Sequence, residues 1–520
     1  MAQIEIKNLI FKYPEMDNAA LKDINLEVEQ GEFVVLCGPS GSGKTTLARL
    51  LKQSIAPYGE REGQIFFEGC TVQQLDLKTE TAGIGYVFQH PKHQIVANTI
   101  GHELAFGLEN LGVEPEEMAL RVAETADYFG FTKRMEEKVD CLSGGQQQLL
   151  NIASVMTMQP KVIILDEPTA QLDPVAAENL LMTVGKINRD FGITIIMIEH
   201  QLKEIMYMAH KLVVMDKGRI ISQGEPQIVL ANIKNHDCFK AMPERVRLYA
   251  RLEQDGKDYP LTVGQARTWI KNRIAGDEAF LDKLKHEDNT IKNVVGKSQN
   301  AIEIRNVWFR YERNSEDVLN GVDLDINKGV ITGIAGGNGS GKSTLMKLIC
   351  GLCKPYRGKI KAEGRVSMLV QDVQCIFSKE TVLEELSIIT SDSSKLERVI
   401  SDMNLEALTE QHPYDLSGGE QQRLGIAKLL LVDGDILIFD EPTKGMDEIY
   451  KAKFGTLLSD LSAKGKTIII VSHDLEFMSA YTHRCAFLFD GRIVSYKDTR
   501  DFFKGNRYYT TELEKLCQNY

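Results

Sequence analysis

Hydrophobic and polar positions follow two recurring patterns along this chain. Short runs rich in β-branched residues, such as FVVLCG at 33–38 and VIILDEP at 162–168, predict buried strands that end in a turn. The stretches between such runs have apolar residues three and four positions apart, as in KTTLARLLKQS at 44–54, and predict amphipathic helices. The alternation predicts an α/β fold in which βα units surround a mainly parallel sheet.

The whole pattern occurs twice, in the same order. A glycine-rich stretch at 38–46, GPSGSGKTT, returns as GGNGSGKST at 336–344, and LSGGQQQ at 142–148 returns as LSGGEQQ at 416–422. The runs VIILDEPT and ILIFDEPT, and then IEH and VSHD, follow in both halves. The glycine-rich and DEPT motifs are 24 residues closer together in the second half. We expect this shortening to fall in loops or peripheral helices, which tolerate changes of length.

The repeat sets the expected domain boundaries. We predict a first α/β domain at 1–224, a second at 301–520, and a small helical appendage with a linker at 225–300. This middle segment has helical patches such as PERVRLYARL and ends in the polar stretch HEDNTIKNVVGKSQN. Its 13 Lys and Arg residues nearly balance its 11 Asp and Glu residues.

Composition and charge exclude several classes of protein. A hydrophobic fraction of 43% and a charged fraction of 26% are those of a globular protein. No apolar run approaches the roughly 18 residues that cross a bilayer, and the N-terminus does not have the pattern of a secretory signal. The formal net charge of −12 argues against nucleic acid as a partner. We therefore expect no direct membrane insertion, and any membrane role would act through a protein partner.

Nine cysteines in 520 residues are too few for a disulfide scaffold, so we expect a cytosolic, reduced protein. Cys350 and Cys353 form a C-x-x-C pair, but a zinc site needs a second pair of ligands. We expect these two thiols to pack in the core.

Both glycine-rich loops fit G-x-x-x-x-G-K-[ST], follow an apolar strand and open a helix, which is the context that a phosphate-binding loop requires. Glycines let backbone N–H groups turn toward an anion, and the helix N-terminus adds positive charge. Lys44 and Lys342 would reach the β- and γ-phosphates, so we expect a nucleotide such as ATP with Mg²⁺. The predicted nucleotide-binding residues are Gly38, Pro39, Ser40, Gly41, Ser42, Gly43, Lys44, Thr45 and Thr46, and Gly336, Gly337, Asn338, Gly339, Ser340, Gly341, Lys342, Ser343 and Thr344.

Polar residues at the ends of other strands complete the predicted chemistry. Carboxylate, hydroxyl and amide oxygens suit Mg²⁺, and the predicted metal-binding residues are Thr45, Gln89, Asp166, Ser343, Gln371 and Asp440. A glutamate after each strand-end aspartate can orient or deprotonate the attacking water, and a histidine at the same spacing in both halves can contact the γ-phosphate. The predicted catalytic residues are Glu167, His200, Glu441 and His473.

The LSGGQ and LSGGE stretches resemble the signature motif of ABC-type ATPases, and the other motifs fit that family in order. The resemblance implies that ATP lies between the phosphate loop of one domain and the signature of the other, so that Lys44 shares a nucleotide with Ser417, and Lys342 with Ser143. The implied signature residues are Ser143, Gly144, Gly145, Gln146, Ser417, Gly418, Gly419 and Glu420. The resemblance further implies that Asp173 and Asp447 are D-loop residues and that Tyr13 and Tyr311 stack on adenine.

A narrower resemblance concerns the segment after the first glutamine. GYVFQHPKHQIVANTIGHELAFGLENLG at 85–112 is similar to the same region in the ATPases of energy-coupling factor (ECF) importers, which bring vitamins and transition-metal ions into prokaryotes. The second copy at 369–386 resembles the matching segment of fused, two-ATPase versions, and the stretch at 243–266 is similar to the C-terminal helical appendage of such subunits. The resemblance implies two partners, a transmembrane coupling protein and a substrate-binding membrane subunit, and a peripheral location on the cytoplasmic face of the membrane.

One position departs from the family pattern. The family usually has arginine directly after LSGGQQQ, where this chain has Leu149, whereas LSGGEQQ is followed by Arg423. A neutral side chain loses the hydrogen bonds of a guanidinium. We therefore predict that the site containing Ser143 and Lys342 is the weaker of the two.

An alternative interpretation is a soluble ABC-F translation factor, which is also a tandem of two such domains. The segment between the domains in that class is typically a long, basic helical hairpin. Here the segment 225–300 contains Gly256, Pro260 and Gly264, and its charge is nearly balanced. The sequence thus favours the importer over the translation factor.

Overall fold

The computed structural model describes residues 2–14, 16, 18–170, 172–253, 256–276, 299–313 and 315–517. The chain divides into two compact units, Met1–Thr262 and Val263–Tyr520. The boundary falls within the segment 225–300, for which the sequence predicts a separate appendage.

The first unit contains ten strands and eight α-helices among its described residues. The strands are β1 Ala2–Lys12, β2 Leu21–Glu29, β3 Phe33–Cys37, β4 Glu60–Phe67, β5 Cys70–Thr71, β6 Ile84–Val87, β7 Val162–Asp166, β8 Thr194–Ile198, β9 Lys211–Asp216 and β10 Arg219–Gly224. The helices are α1 Lys44–Leu50, α2 Leu77–Gly83, α3 Ile100–Leu111, α4 Pro115–Tyr128, α5 Gly144–Thr157, α6 Pro174–Phe191, α7 Pro226–Ile233 and α8 Glu244–Leu252.

These strands form two sheets. The larger sheet has the order β10-β9-β3-β8-β7-β6, and all its pairings are parallel except that of the edge strand β10. Strands β3, β7 and β8 are buried along their whole length, as expected for a parallel sheet covered on both faces. A second, antiparallel sheet with the order β2-β1-β4-β5 packs against it, and the two share one core that includes Ile4, Leu26, Leu36 and Ile196. The sequence does not predict this second sheet as a separate layer.

The second unit repeats this plan with some losses. Its strands are β11 Asn300–Phe309, β12 Leu319–Asn327, β13 Ile331–Ala335, β14 Arg357–Ala362, β15 Val366–Leu369, β16 Ile436–Asp440, β17 Thr467–Val471, β18 Arg484–Phe489 and β19 Arg492–Asp498. Its helices are α9 Val263–Gly276, α10 Lys342–Ile349, α11 Val382–Ser387, α12 Ser393–Asp402, α13 Gly418–Val432, α14 Glu448–Ala463, α15 Leu475–Tyr481, α16 Thr499–Gly505 and α17 Glu512–Cys517. The main sheet has the order β15-β16-β17-β13-β18-β19, and the smaller one the order β12-β11-β14.

The expected shortening of the second half coincides with peripheral helices. Helix α2, which precedes β6 in the first unit, has no counterpart in the three residues between β14 and β15. Helices α11 and α12 have 6 and 10 residues, whereas α3 and α4 have 12 and 14. The predicted α/β fold with a mainly parallel sheet in each half is confirmed.

The segment 225–300 is shared between the two units. Helices α7 and α8 belong to the first unit, where the buried guanidinium of Arg245 donates hydrogen bonds to the carbonyl oxygens of Lys203 and Leu261, at 2.6 and 2.7 Å. Helix α9 belongs to the second unit, where Arg267 donates to the carbonyl oxygen of Lys515 in α17. Most of the polar stretch predicted as a linker, residues 286–298, lies outside the described residues. Within the described part of the chain, no helix is long and apolar enough to span a membrane.

Candidate nucleotide sites

Each unit gathers its predicted site residues at one edge of its main sheet. In the first unit, the glycine-rich loop follows β3, Gln89 follows β6, Asp166 ends β7, and His200 follows β8. Strands β3, β8, β7 and β6 are neighbours in that order, so their carboxyl ends lie side by side, where ligands bind in open α/β sheets. We call this group, with Lys44 and Glu167, the first phosphate site. The second phosphate site is the equivalent group Lys342, Gln371, Asp440, Glu441 and His473.

The first glycine of each loop is required by close backbone contact. Gly38 and Gly336 have φ values of 145° and 159°. A Cβ atom at Gly38 would lie 2.0 Å from the carbonyl oxygen of Met215, and one at Gly336 would lie 2.3 Å from that of Leu488. A side chain at either position would therefore displace the loop from the adjoining strand.

The loop lysines lie across their own loops. The Nζ atom of Lys44 donates to the carbonyl oxygens of Gly38 and Pro39, at 2.9 and 2.8 Å. Lys342 does the same with Gly336 and Gly337, at 2.9 Å each. Both lysines are buried. These carbonyl oxygens make the contacts with the lysine ammonium group that the phosphate oxygens of a bound nucleotide would make.

The predicted magnesium ligands come together in the first unit. The hydroxyl of Thr45 donates to Oδ1 of Asp166 at 3.1 Å. The hydroxyl of Tyr86 donates to Oδ2 of the same carboxylate at 2.9 Å. These are hard oxygen donors, so the residues fit Mg²⁺. Burial and the charge of Glu167 raise the pKa of Asp166, while the hydrogen bonds from Tyr86 and Thr45 oppose that rise.

The glutamate of the first phosphate site is held through both oxygens. Oε1 of Glu167 lies 2.8 Å from Nε2 of His200, and Oε2 accepts a hydrogen bond from the amide of Gln89 at 2.7 Å. Burial acts to raise the pKa of Glu167, but the hydrogen bond and charge of His200, with Lys44 and His90, lower it overall. The first glutamate is therefore a carboxylate at neutral pH.

The glutamate of the second phosphate site is held differently. Oε2 of Glu441 accepts from the backbone N–H of His473 at 3.2 Å and from the hydroxyl of Ser472 at 3.4 Å, and Oε1 is buried with no hydrogen-bond partner in the described residues. Nε2 of His473 lies 3.6 Å from Oε1 of Glu441, beyond hydrogen-bond distance, and is closer to Asn338, at 3.1 Å, and to Lys342, at 3.5 Å. Burial raises the pKa of Glu441 to about 7. Gln371 is exposed and makes no hydrogen bond with the described residues.

Both glutamates have a strained backbone. The φ values of Glu167 and Glu441 are 47° and 53°, in the left-handed region that residues other than glycine rarely adopt. Strain of this kind, of order 1–3 kcal/mol, persists where the surrounding structure enforces it and is concentrated at functional sites. Its presence in both units supports a shared role for the two glutamates.

The signature stretches begin helices α5 and α13. Ser143 and Ser417 are the N-cap residues, and each forms a capping box with the residue three positions later, Gln146 or Glu420. Both serines are exposed. Each unit thus presents a helix N-terminus with its partial positive charge at the surface.

The structure shows what the arginine after the second signature does. Nη1 of Arg423 donates to the carbonyl oxygens of Met403 and Asn404, at 3.2 and 3.0 Å, just past the end of α12. Its guanidinium also lies 5.2 Å from the ring centroid of Tyr450 in α14. Leu149, the equivalent residue in the first unit, is half-buried and has no such donor.

The remaining predicted residues have local partners. Asp173 and Asp447 cap helices α6 and α14, accepting from the backbone N–H groups of Ala176 and Tyr450. The Tyr13 hydroxyl lies 2.9 Å from that of Thr46, and the Tyr311 hydroxyl 3.0 Å from that of Thr344. Both tyrosines therefore lie next to the phosphate loop of their own unit, and their contact with adenine stays a prediction.

Two residues of the first site were not singled out by sequence reasoning. Tyr86 is a buried strand residue that reaches Asp166 because β6 and β7 are neighbours in the sheet. The equivalent residue in the second unit is Met368. Glu199, next to His200, is buried and accepts a hydrogen bond from the Thr169 hydroxyl at 2.6 Å. Its burial raises its pKa to about 7. The motif IEH, in which Glu199 directly precedes His200, is the sequence feature that could have indicated this glutamate.

Cysteines take no part in these sites. Cys350 and Cys353 are free thiols that pack against the core of the second unit, as expected. Asp216, His236 and Cys238 place possible metal ligands within 4.8 Å of one another. However, Nδ1 of His236 accepts a hydrogen bond from the backbone N–H of Cys238, and burial raises the pKa of that thiol to about 11. We assign no metal to this group.

Comparison with known proteins finds a matching family model and a relative that matches the whole chain. The family model described as "ABC transporter" matches residues 21–170 and 319–444. A putative ABC transporter ATP-binding protein of Bacillus thuringiensis is 37% identical over all of this chain and 96% of its own length.

Two solved structures are also similar. The archaeal ribosome recycling factor aABCE1, in its complex with a ribosomal stalk protein, is 20% identical over 96% of this chain and 91% of its own, with a TM-score of 0.61. At that identity the similarity shows the fold alone. The cbiO1 protein of Clostridium perfringens, described as part of the ABC transporter complex cbiONQ, is 29% identical over 45% of this chain and 96% of its own, with a TM-score of 0.41.

Proposed function

This chain belongs to the ABC transporter family, with two ABC-type ATPase domains, and we propose that it is the ATP-hydrolysing subunit that energises an importer of the ECF type. The observation that carries the ATPase role is the repeated edge of the sheet, where a loop lysine, a strand-end aspartate and a strained glutamate come together in each unit. The transport role is supported by relatives that match all or most of the chain and are described as putative ABC transporter ATP-binding proteins.

We propose that ATP binds at two composite sites. Lys44 and the first phosphate site would face Ser417, and Lys342 and the second would face Ser143. The exposed helix N-termini at both serines support this assignment, since backbone N–H groups and the helix dipole favour the γ-phosphate. Tyr13 and Tyr311 would stack on the two adenines, and Asp173 and Asp447 would be the D-loop residues.

The residues have distinct roles in the proposed hydrolysis. The loop lysine would exchange its two carbonyl contacts for phosphate oxygens and offset the charge that develops there. The ionised glutamate would take a proton from the attacking water, and the histidine would contact the γ-phosphate. Mg²⁺ held by Thr45, Asp166 and Gln89, or by Ser343, Asp440 and Gln371, would supply charge neutralisation at the phosphates.

The ECF assignment rests on the segment after Gln89. Residues 85–112 carry the resemblance, and they run from strand β6 through the loop to helix α3. This segment includes Tyr86 and Gln89. Tyr86 donates a hydrogen bond to Asp166, and Gln89 donates one to Glu167. A membrane protein that displaced this loop would therefore act directly on the catalytic carboxylates. The partners would be a transmembrane coupling protein and a substrate-binding membrane subunit. The chain would lie on the cytoplasmic face of the membrane. The importer would carry a vitamin or a transition-metal ion.

The importer is favoured over a ribosome-associated translation factor. The chain has a net charge of −12, and the segment 225–300 is nearly neutral, whereas ribosome binding depends on contacts with phosphate. Part of that segment also packs within the two units, through α7 and α8 in the first and α9 in the second.

The proposal is tested by affinity purification of the tagged chain from detergent-solubilised membranes of its own host. We expect a multi-spanning protein and a small membrane subunit to co-purify in defined stoichiometry. Recovery of ribosomes with no integral membrane protein would contradict the importer and favour the translation factor. Purification of the chain with neither, together with full ATPase activity, would contradict the importer role but not the ATPase chemistry.

A further inference from the structure

The loop that carries Gln89 is held by two amide side chains of helix α5. Nε2 of Gln148 donates to the carbonyl oxygen of Phe88 at 3.2 Å. Nδ2 of Asn151 donates to the carbonyl oxygen of Pro91 at 3.1 Å. Phe88 directly precedes Gln89, and Pro91 is two residues after it. The helix that begins at the first signature therefore binds the loop backbone on both sides of Gln89.

Both amides belong to the packed contact between the helix and the loop. They are three residues apart in α5 and so lie on the same face, and both side chains are fully buried. The amide oxygen of each has no hydrogen-bond partner in the described residues, so each side chain is bound through its NH₂ group. Burying an amide costs free energy that hydrogen bonds must offset, and here the loop carbonyl groups supply those bonds.

The loop in turn places Gln89 against the proposed general base. Nε2 of Gln89 donates to Oε2 of Glu167 at 2.7 Å, and both residues are half-buried. Gln94 closes the same loop, since its Oε1 accepts from the backbone N–H of Phe88 at 3.0 Å. A general base must be oriented toward the proton that it removes. A fixed backbone beside Gln89 therefore holds one oxygen of that base in place.

The second unit lacks both of these helix-to-loop hydrogen bonds. The residue equivalent to Asn151 is Gly425, where a Cβ atom would lie 3.0 Å from the side chain of Val373 in the loop. The loop thus packs directly against the helix backbone, with no room for an amide between them. The second helix amide is Gln422, which donates to the carbonyl oxygen of Glu441 at 3.4 Å instead of to the loop.

Other side chains hold the second loop, farther from its glutamine. Lys428 donates to the carbonyl oxygen of Ile376, five residues after Gln371. Nε2 of Gln374 donates to Oε1 of Gln421 at 3.0 Å. Gln371 itself is exposed and makes no hydrogen bond with the described residues. The loop glutamine is thus bonded to the glutamate in the unit where the helix holds the adjacent backbone, and is unbonded in the other.

We infer that Gln148 and Asn151 are positioning residues for Gln89. By holding the loop, they keep the amide of Gln89 on Glu167 and so orient the carboxylate that takes a proton from water. They also join helix α5, which carries the first signature at its N-terminus, to the first phosphate site. The inference rests on the ATPase chemistry of the proposed function and is independent of the importer role.

The experiment isolates the first phosphate site and then removes each donor. In a Glu441→Gln chain, ATP hydrolysis reports the site that contains Glu167. Asn151→Leu and Gln148→Met nearly keep the volume of each side chain but remove its NH₂ group. Thr157→Val is the matched control, because it removes a buried hydroxyl of α5 that donates to a carbonyl oxygen within the same helix. We expect each amide substitution to lower kcat about fivefold, the rate equivalent of one lost hydrogen bond, with KM for ATP unchanged and Thr157→Val matching the parent.

A double-mutant cycle with Gln89→Met separates positioning from a general effect on stability. If the helix amides act through Gln89, adding Asn151→Leu or Gln148→Met to Gln89→Met should not lower kcat further. Losses that multiply would overturn the inference, because the amides would then stabilise the unit without positioning Gln89. Unchanged kcat in the single substitutions, a loss in KM alone, or an inactive Glu441→Gln parent would overturn it as well.

Hydrogen exchange gives a readout that does not depend on hydrolysis. In the otherwise unmodified chain without ATP, Asn151→Leu and Gln148→Met should each speed amide exchange in residues 88–95 and leave exchange in 370–377 unchanged. Unchanged exchange in 88–95, or equal acceleration in both loops, would contradict the inference. An unmodified chain that does not hydrolyse ATP would instead contradict the proposed function, and the exchange rates would still show whether the amides hold the loop.

Discussion

At the residue scale, the two glutamates occupy equivalent positions but differ in their electrostatic surroundings. Glu167 has hydrogen bonds to both oxygens, and its pKa is lowered. Glu441 has one oxygen without a hydrogen-bond partner in the described residues, 3.6 Å from Nε2 of His473, and burial raises its pKa to about 7. The sequence predicts both residues equally well, because DEPT occurs in each half. Their difference depends on side chains from other strands, which no local pattern reveals.

This difference predicts two distinct pH profiles. A general base acts only when ionised, so activity through Glu441 should be low below pH 7 and rise as pH increases through about 7. Activity through Glu167 should show no such rise in this range, because its pKa is lowered from 4.5. ATPase rates of Glu167→Gln, which reports the second site, and Glu441→Gln, which reports the first, measure this. Coincident profiles would contradict the assignment.

A second prediction concerns Tyr86, whose buried hydroxyl donates to Asp166. Tyr86→Phe leaves that carboxylate oxygen without its hydrogen-bond donor, which destabilises the folded chain by about 1–3 kcal/mol. Since the same oxygen belongs to a predicted magnesium ligand, the Mg²⁺ concentration for half-maximal ATPase should rise severalfold in a Glu441→Gln chain. The second unit has Met368 at this position, so the same substitution in a Glu167→Gln chain should have no effect on the Mg²⁺ requirement and serves as the control.

At the scale of elements, the helices after the signatures are anchored differently. Arg423 in α13 joins the end of α12 to the ring of Tyr450 in α14, whereas Leu149 in α5 makes no equivalent polar contact. The departure from the family pattern is evident from the sequence. Its consequence is evident only from the structure, since the carbonyl groups that Arg423 binds lie about twenty residues earlier in the chain.

Loss of the arginine should destabilise the second unit. Arg423→Leu removes charge-assisted hydrogen bonds to two carbonyl groups, so we expect the free energy of unfolding to fall by about 1–3 kcal/mol. Chemical denaturation monitored by circular dichroism measures this change. Lys453→Ala, which removes an exposed cation from α14, is the control and should leave the free energy of unfolding unchanged. Equal stability of Arg423→Leu and the unmodified chain would show that the contacts have no net effect.

The reverse change should strengthen the predicted weaker site. Leu149→Arg would provide a donor for the carbonyl groups of Phe129 and Gly130, which are equivalent to Met403 and Asn404. If Ser143 serves the second phosphate site, Leu149→Arg should raise kcat in a Glu167→Gln chain and leave it unchanged in a Glu441→Gln chain. A gain in the Glu441→Gln chain alone would show that Ser143 acts on its own unit.

At the scale of the whole molecule, the repeat predicts most of the architecture. The order of motifs predicts two α/β units, and the carboxyl ends of parallel strands predict that loop, aspartate, glutamine and histidine meet at one edge in each. The separate antiparallel sheet is less evident, because its strands alternate buried and exposed residues like many edge strands. The division of segment 225–300 between the two units is not evident from the sequence either. It depends on tertiary contacts, since Arg245 binds a backbone carbonyl group in the first unit and Arg267 binds one in the second.

The central proposal is that each phosphate site would act with the signature of the other unit, and one signature substitution tests it most directly. Ser143→Arg places a bulky cation at the N-terminus of α5, in the first unit. Its ATPase rate is measured in the Glu167→Gln and Glu441→Gln chains, with Ser417→Arg as the matched partner. We predict that Ser143→Arg abolishes hydrolysis in the Glu167→Gln chain and spares it in the Glu441→Gln chain, with Ser417→Arg giving the opposite pattern. Loss of hydrolysis by Ser143→Arg in the Glu441→Gln chain alone would contradict the claim, because each unit would then act with its own signature.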